Sequence, residues 1–147
     1  MAADKHIASI AVLPFANHSA AEDMVYFSEG MTEEIINALA GVDGLRVISR
    51  TSSFAFKDKE LPLHTVAGHL QVSHIIEGGV RRSNDRLRIS ARLIDVEDDS
   101  HVWNGRWDRS MDDIFAVQDE IALSIADELR EQVGHLDIQD HLVRKQT

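Results

Sequence analysis

Cysteine is absent from the 147-residue chain, and with it go disulfides, thiolate catalysis and thiolate zinc sites. Positive charge is also scarce: 15 Lys and Arg stand against 25 Asp and Glu, for a net charge of -10 and a pI near 5.1. General binding of nucleic acid or of an anionic membrane needs a basic surface, so this balance points to a protein or a small molecule as the partner. No apolar run is long enough to span a bilayer. The first six residues, Met1 to His6, lack the basic and apolar regions of a signal peptide. The fragment is therefore expected to be soluble and free of membrane contact, with cytoplasmic and periplasmic placement both open.

Reaction centres are equally hard to find. Histidines occur at positions 6, 18, 64, 69, 74, 101, 135 and 141, but no two form the i, i+4 pair with an intervening Glu that makes a helical zinc site. No metal or cofactor is expected on that basis. Glu33-Glu34, Asp112-Asp113 and Asp119-Glu120 fall in early turns of predicted helices, where the macrodipole already favours acids. Gly41 and Gly44 flank a short turn with no following Lys-Ser or Lys-Thr, and Gly78-Gly79 lies within a predicted strand, so no phosphate loop is present. Gly78-Gly79 instead marks a bulge or a close backbone approach.

The residues that are present describe one compact domain over positions 1–134, followed over 135–147 by a linker or a helix end, the apolar period being lost after Val133. Ile7 to Phe15 is a nearly unbroken apolar run, the pattern of a central strand covered on both faces. Ser19 and Glu22 have capping-box spacing, and Met24, Phe27, Met31, Ile35 and Leu39 recur at helical intervals until Gly41. Gly30, inside that helix, needs a reason such as close packing of the helix on the sheet. Leu45 to Arg50 alternates as a second strand, parallel to the first. Thr51 to Glu60 has no period and is a predicted loop, after which Pro62 opens a short helix through Leu70.

Ser73 to Arg82 and Arg86 to Val96 flank the turn Asn84-Asp85 and form a predicted antiparallel hairpin. Leu87, Ile89, Ala91 and Leu93 fall on its buried face, with Arg86, Arg88 and Arg92 on the wet one. His101 to Arg109 is a last strand. Ser110 is then a predicted N-cap for a helix whose buried stripe is Ile114, Val117, Ile121, Ile125 and Leu129. The fold class is α/β, more strictly α+β: a mixed five-stranded sheet in the order β-α-β-α-β-β-β-α.

Two places retain functional weight. Arg50, Thr51, Ser52 and Ser53 follow the carboxyl end of a parallel strand, where open sheets bind ligands. Their donors would hold a carboxylate or phosphate, or else cap the strand end and nearby helix termini. Arg88, Arg92 and Arg106 occupy the wet face of the meander, where they either dock a protein or merely solvate the sheet and pair with Glu77, Asp95 and Asp108. Trp103 and Trp107 share a strand parity and either join that docking face or belong to the core.

Four stretches together resemble a known family: Tyr26-Phe27-Ser28-Glu29-Gly30-Met31-Thr32-Glu33-Glu34, Leu45 to Phe54, Ile76-Glu77-Gly78-Gly79-Val80-Arg81, and Trp103 to Glu120. They are similar to domains of the TolB amino-terminal and FlgO family, over roughly residues 8–133. The resemblance implies a fold like the TolB amino-terminal domain. It also implies a module inside a larger bacterial protein, after an adenylate/guanylate cyclase or DNA-binding regulator domain and before tetratricopeptide repeats. A non-catalytic accessory domain for ligand sensing or protein contact is the expectation, with any cyclase activity in another part of the parent. The alternatives are an oligomerisation or cell-envelope assembly module and, lastly, an enzyme with an unrecognised site. Expected partners are a protein or neighbouring domains of the same chain, a small anionic ligand, or further copies of the chain, and not nucleic acid.

Overall fold

The computed structural model describes residues 9–19, 22–57 and 59–145, without the side chains of residue 23 and residues 134–145. The elements are β1 (Ser9–Val12), β2 (Ala16–Asn17), α1 (Asp23–Ala40), β3 (Arg46–Val47), α2 (Arg50–Phe54), α3 (Leu63–Leu70), β4 (His74–Ser83), β5 (Arg86–Asp95), β6 (Ser100–Ser110) and α4 (Ile114–Lys145). The strands form one mixed sheet in the order β3-β1-β4-β5-β6, with β2 also paired to β4. The α+β class is as the sequence pattern indicates. The sheet has six strands rather than five because the first predicted strand ends at Val12, short of Phe15, and a further two-residue strand, Ala16–Asn17, forms beyond it.

That break has a local cause. Val12 lies opposite Ile76 and Ala16 opposite Gly79, so the chain between β1 and β2 carries one residue more than the β4 segment beside it. Pro14 stands in the interruption and has no N–H for a ladder bond. Phe15 N turns inward and donates a 2.9 Å hydrogen bond to Thr32 Oγ1 of α1. Ile7 and Ala8, part of the same expected strand, lie outside the described residues.

Both faces of β1 are covered. Ile10 and Val12 join the large core beneath α1 and α4, whereas Ala11 joins a second cluster with Val66, Ala67, Val72 and Ile75 beneath α3. The periodic stripes supply the large core: Met31, Ile35 and Leu39 of α1 and Ile121, Ile125 and Leu129 of α4 are all fully buried. Burial of each such side chain stabilises by about 1.5–3 kcal/mol. Among the described residues, no helix is long and apolar enough to cross a membrane.

The hairpin follows the predicted parity. β4 and β5 pair without interruption from His74/Asp95 to Ser83/Arg86 around a turn in which Asn84 takes φ 57°. Leu87, Ile89, Ala91 and Leu93 are buried, Arg86 and Arg88 exposed. Arg92 is half-buried instead of exposed, because Glu77 directly opposite holds its Nε at 3.2 Å. Gly78 marks a close approach and no bulge: a Cβ there would lie 2.2 Å from Ser90 O and 2.7 Å from the Phe15 ring.

Caps and helix ends differ from the sequence expectation. Glu22 is the N-cap of α1 and makes no side-chain cap bond, while Ser19 Oγ accepts from Arg82 N at 2.6 Å and ties the loop to β4. At α4 the capping side chain is Asp113, whose Oδ1 accepts from Ala116 N at 3.1 Å; Ser110 Oγ accepts from Asp112 N, one turn too early. Gly30 faces Gln118 of α4, with 2.8 Å between its would-be Cβ and Nε2, so helix meets helix there and not sheet.

Candidate functional site

Arg50 does not end the second strand, which stops at Val47, and Thr51 to Ser53 do not form the expected loop. Arg50 to Ser53 make up most of α2, a single turn started by Ser49, whose hydroxyl accepts from Ser52 N at 3.3 Å. A run of Thr, Ser, Ser and Phe carries no helical stripe, so the sequence offered no periodic signal for this turn. Arg50 is committed locally: its Nε is 3.4 Å from Glu33 Oε2, and its guanidinium lies 4.1 Å from the centre of the Phe54 ring. Ser53 is fully buried, and its hydroxyl has no hydrogen-bond partner among the described residues. Thr51 and Ser52 are exposed.

The five residues proposed for the meander face are divided between the two faces of the sheet. Ile89 pairs with Trp107 and Leu93 with Trp103, which places both indoles on the α1/α4 side, half-buried against the core and 6.1 Å apart. Arg88 pairs with Asp108, Ser90 with Arg106 and Arg92 with Asn104, all on the opposite side. In β4 the same side carries Glu77, Gly79 and Arg81. The arginines thus lie on the face opposite both indoles.

That face is built by register. Arg81, Arg86, Arg88 and Arg106 are exposed along three adjacent strands, with Arg92 half-buried beside them. Arg88 Nε donates to Asp108 Oδ1 at 2.9 Å. This hydrogen bond is the largest influence on the Asp108 carboxyl; together with the charges of Arg88, Arg106 and Arg86 it outweighs the opposing desolvation and holds the group below the usual aspartate range. Among the described residues, Arg81, Arg86 and Arg106 make no ion pair. Among the described residues, a chain of net charge -10 thereby presents one sheet face on which five guanidinium groups meet only the carboxylates of Glu77 and Asp108.

A third feature was not legible in the sequence. A cleft of about 630 Å³ opens where β1 ends, between the start of α1, the segment after α2, and the edge of the arginine face. Its walls include Pro14, Phe15, Val25 and Phe56. Its polar groups include Asn17, His18, Ser28, Lys57, Lys59 and the two carboxylates Glu29 and Glu77, with Arg92 completing the rim. Lys57 is ion-paired with Glu29, and Arg92 with Glu77. The ring of His18 lies over Gly79, against the space a Cβ would take.

Topology explains why the cleft lies there. From β1 the chain crosses to β3 on one side through α1, then returns past β1 to β4 on the other side through α3. The two helices cover opposite faces of the sheet, and the carboxyl end of β1 is left open between them. Such a switch point is where open sheets leave a crevice for ligands. The signal in the sequence was Ala16-Asn17-His18 directly after an apolar strand, but nothing local tells which strands will flank it. Among the described residues no group of three or more His, Asp or Glu is placed to hold a metal ion.

Comparison with known proteins places this arrangement. "Putative adenylate cyclase 3" of Rhizobium meliloti (strain 1021) is 48% identical over 122 residues, which cover 83% of this chain and 21% of that protein. The chain thus spans about a fifth of the length of that relative. The PelC dodecamer from Paraburkholderia phytofirmans has the same kind of fold, with a TM-score of 0.57 at 15% identity over 84% of this chain and 87% of that one. TolB from Acinetobacter baumannii matches with a TM-score of 0.54 at 13% identity, over 80% of this chain and 27% of that one. These likenesses concern the fold alone, and the TolB match agrees at that level with the resemblance read from the sequence. The family model that matches, over residues 5–124, is that of the HilA/YgeH-like transcriptional regulator, second domain, and the chain belongs to that family.

Proposed function

We propose that the domain is a non-catalytic accessory module of a multidomain bacterial signalling protein, and that its arginine face docks an acidic segment of a neighbouring domain or partner protein. The observation that carries this reading is the charge arrangement: five guanidinium groups against two carboxylates on one open sheet face of an acidic chain. Arginine is the residue suited to such contacts, because its planar fork binds carboxylates bidentately. The net charge of -10 works against acidic partners elsewhere on the chain, which favours segments matched to the patch.

Two further facts support an accessory role. The family is named for the second domain of transcriptional regulators, while a relative at 48% identity carries a cyclase name and is about five times longer than the matched region. One module used beside two unlike effector functions is better suited to contact or sensing than to either chemistry. Any cyclase activity would then belong to another part of the parent.

The test is charge reversal in the intact parent. Arg88→Glu together with Arg106→Glu should impair regulation of the parent's output while leaving the melting temperature of the domain nearly unchanged, since exposed charges contribute little to stability. Weakening of the wild-type contact by added salt should accompany this. Regulation that persists in the double variant would remove the docking role. Self-association is a second reading, supported by the open edge of β6, eleven residues long; a monomer mass at every concentration would exclude it.

A further inference from the structure

We infer that the cleft at the end of β1 binds a small amphiphilic carboxylate, a monoanion with a short hydrocarbon body. This site is separate from the docking face, although Arg92 borders both.

Three observations converge on that ligand. First, the volume of about 630 Å³ falls within the range of small-molecule pockets, and the cleft occupies the switch point of the sheet. Second, the fixed charges are unequal. Among the described residues that line the cleft, Lys57, Lys59 and Arg92 stand against Glu29 and Glu77, an excess of one positive charge inside a strongly acidic chain. Among the described residues Lys59 has no carboxylate partner, whereas Lys57 and Arg92 are each already paired. A single negative charge therefore completes the site, and a dianion would exceed it. Third, Leu13, Pro14, Phe15, Val25 and Phe56 line the remaining wall. An inorganic anion would leave that wall wet, while a hydrocarbon body would cover it.

Occupation would have a structural consequence. The cleft is enclosed by the loop between β1 and β2, the first turns of α1, and the segment after α2, three parts that no continuous strand pairing ties together. A ligand touching all three would hold them in one arrangement, and anything that binds only the folded form raises stability by mass action. The site is thus fitted to report a metabolite to neighbouring domains without chemistry of its own.

Hexanoate is the probe, added to the isotopically labelled 147-residue chain and followed by amide chemical shifts, with hexylammonium and inorganic phosphate as comparisons. Hexanoate should shift the amides of Asn17, His18, Lys57 and Gly78 saturably, with a dissociation constant on the order of 1 mM or tighter. Lys59→Glu should weaken this about tenfold. Val25→Trp should abolish it by filling the cleft from the exposed side of α1, with thermal unfolding confirming that both variants are folded. Arg130→Glu, far along α4, should leave it unchanged. Three results would overturn the inference: no saturable shift at the cleft, equal binding of hexylammonium, or phosphate binding where hexanoate does not. Hexanoate binding that survives both Lys59→Glu and Val25→Trp would do so as well. Neither variant touches the exposed arginines, so failure here leaves the docking reading to its own test.

Discussion

The side-chain amide of Gln118 in α4 donates a 3.1 Å hydrogen bond to the main-chain carbonyl of Phe27 in α1, across a contact from which both side chains exclude water. Only a glycine at position 30 leaves room for that amide, since a Cβ there would approach Nε2 to 2.8 Å. In an exposed helix Gly→Ala would gain about 1 kcal/mol. Here Gly30→Ala should gain nothing, because the displaced amide forfeits a buried hydrogen bond of about the same worth. In a Gln118→Ala background the same change should recover roughly 1 kcal/mol. Urea unfolding of the four proteins in this cycle measures the coupling; additive effects would show that Gln118 is not what constrains Gly30.

Gly78 and Gly68 should respond to alanine in opposite ways. A Cβ at Gly78 meets the Ser90 carbonyl at 2.2 Å, a main-chain atom in the middle of the β4–β5 ladder that cannot move aside, and the Phe15 ring at 2.7 Å. Gly78→Ala should cost about 3 kcal/mol or prevent folding. Gly68 is an exposed residue within α3 with nothing within 4 Å of its would-be Cβ. Gly68→Ala should stabilise by about 0.5–1 kcal/mol. Denaturant midpoints that moved in the same direction for both would contradict this pair of contacts.

His74 should make stability depend on pH. Its ring is buried, and desolvation lowers its pKa below the ordinary 6.5, partly opposed by Asp95, whose Oδ2 is 3.8 Å from Nε2. The unfolded chain therefore binds this proton more readily than the folded one. Stability contributed by the neutral ring is complete above about pH 6.5 and is lost as the pH falls from there through the folded value. Unfolding free energy measured from pH 7.5 to 5.0 should fall toward acid, and His74→Gln should flatten the curve. An unchanged slope in that variant would assign the dependence to other groups.

The N-cap of α4 distinguishes Asp113 from Ser110. Asp113 Oδ1 holds Ala116 N in the first turn, whereas Ser110 Oγ holds Asp112 N outside the helix. Asp113→Ala should cost about 1 kcal/mol and Ser110→Ala markedly less. Thermal melts of the two variants should rank in that order.

Much of this architecture was readable because its causes are local. The stripes of α1 and α4, the parity of Leu87 to Leu93 and the Asn84-Asp85 turn depend on residues a few positions apart, so period alone determines which side chains become buried. Within β6, the alternation of Trp103 and Trp107 with Arg106 was likewise fixed by parity. Which of those faces coincides with Arg88 depended on the β5–β6 register, with its irregularity between Leu93 and Ile94, and register is a property of two strands. Only the tertiary structure decided the rest. Asp113 displaced Ser110 as the cap because the β6 ladder runs on to Ser110. The cleft joins Asn17, Lys57 and Arg92 because the crossover from β1 to β3 and the return from β3 to β4 pass on opposite faces of the sheet, and no local spacing encodes where distant crossovers part.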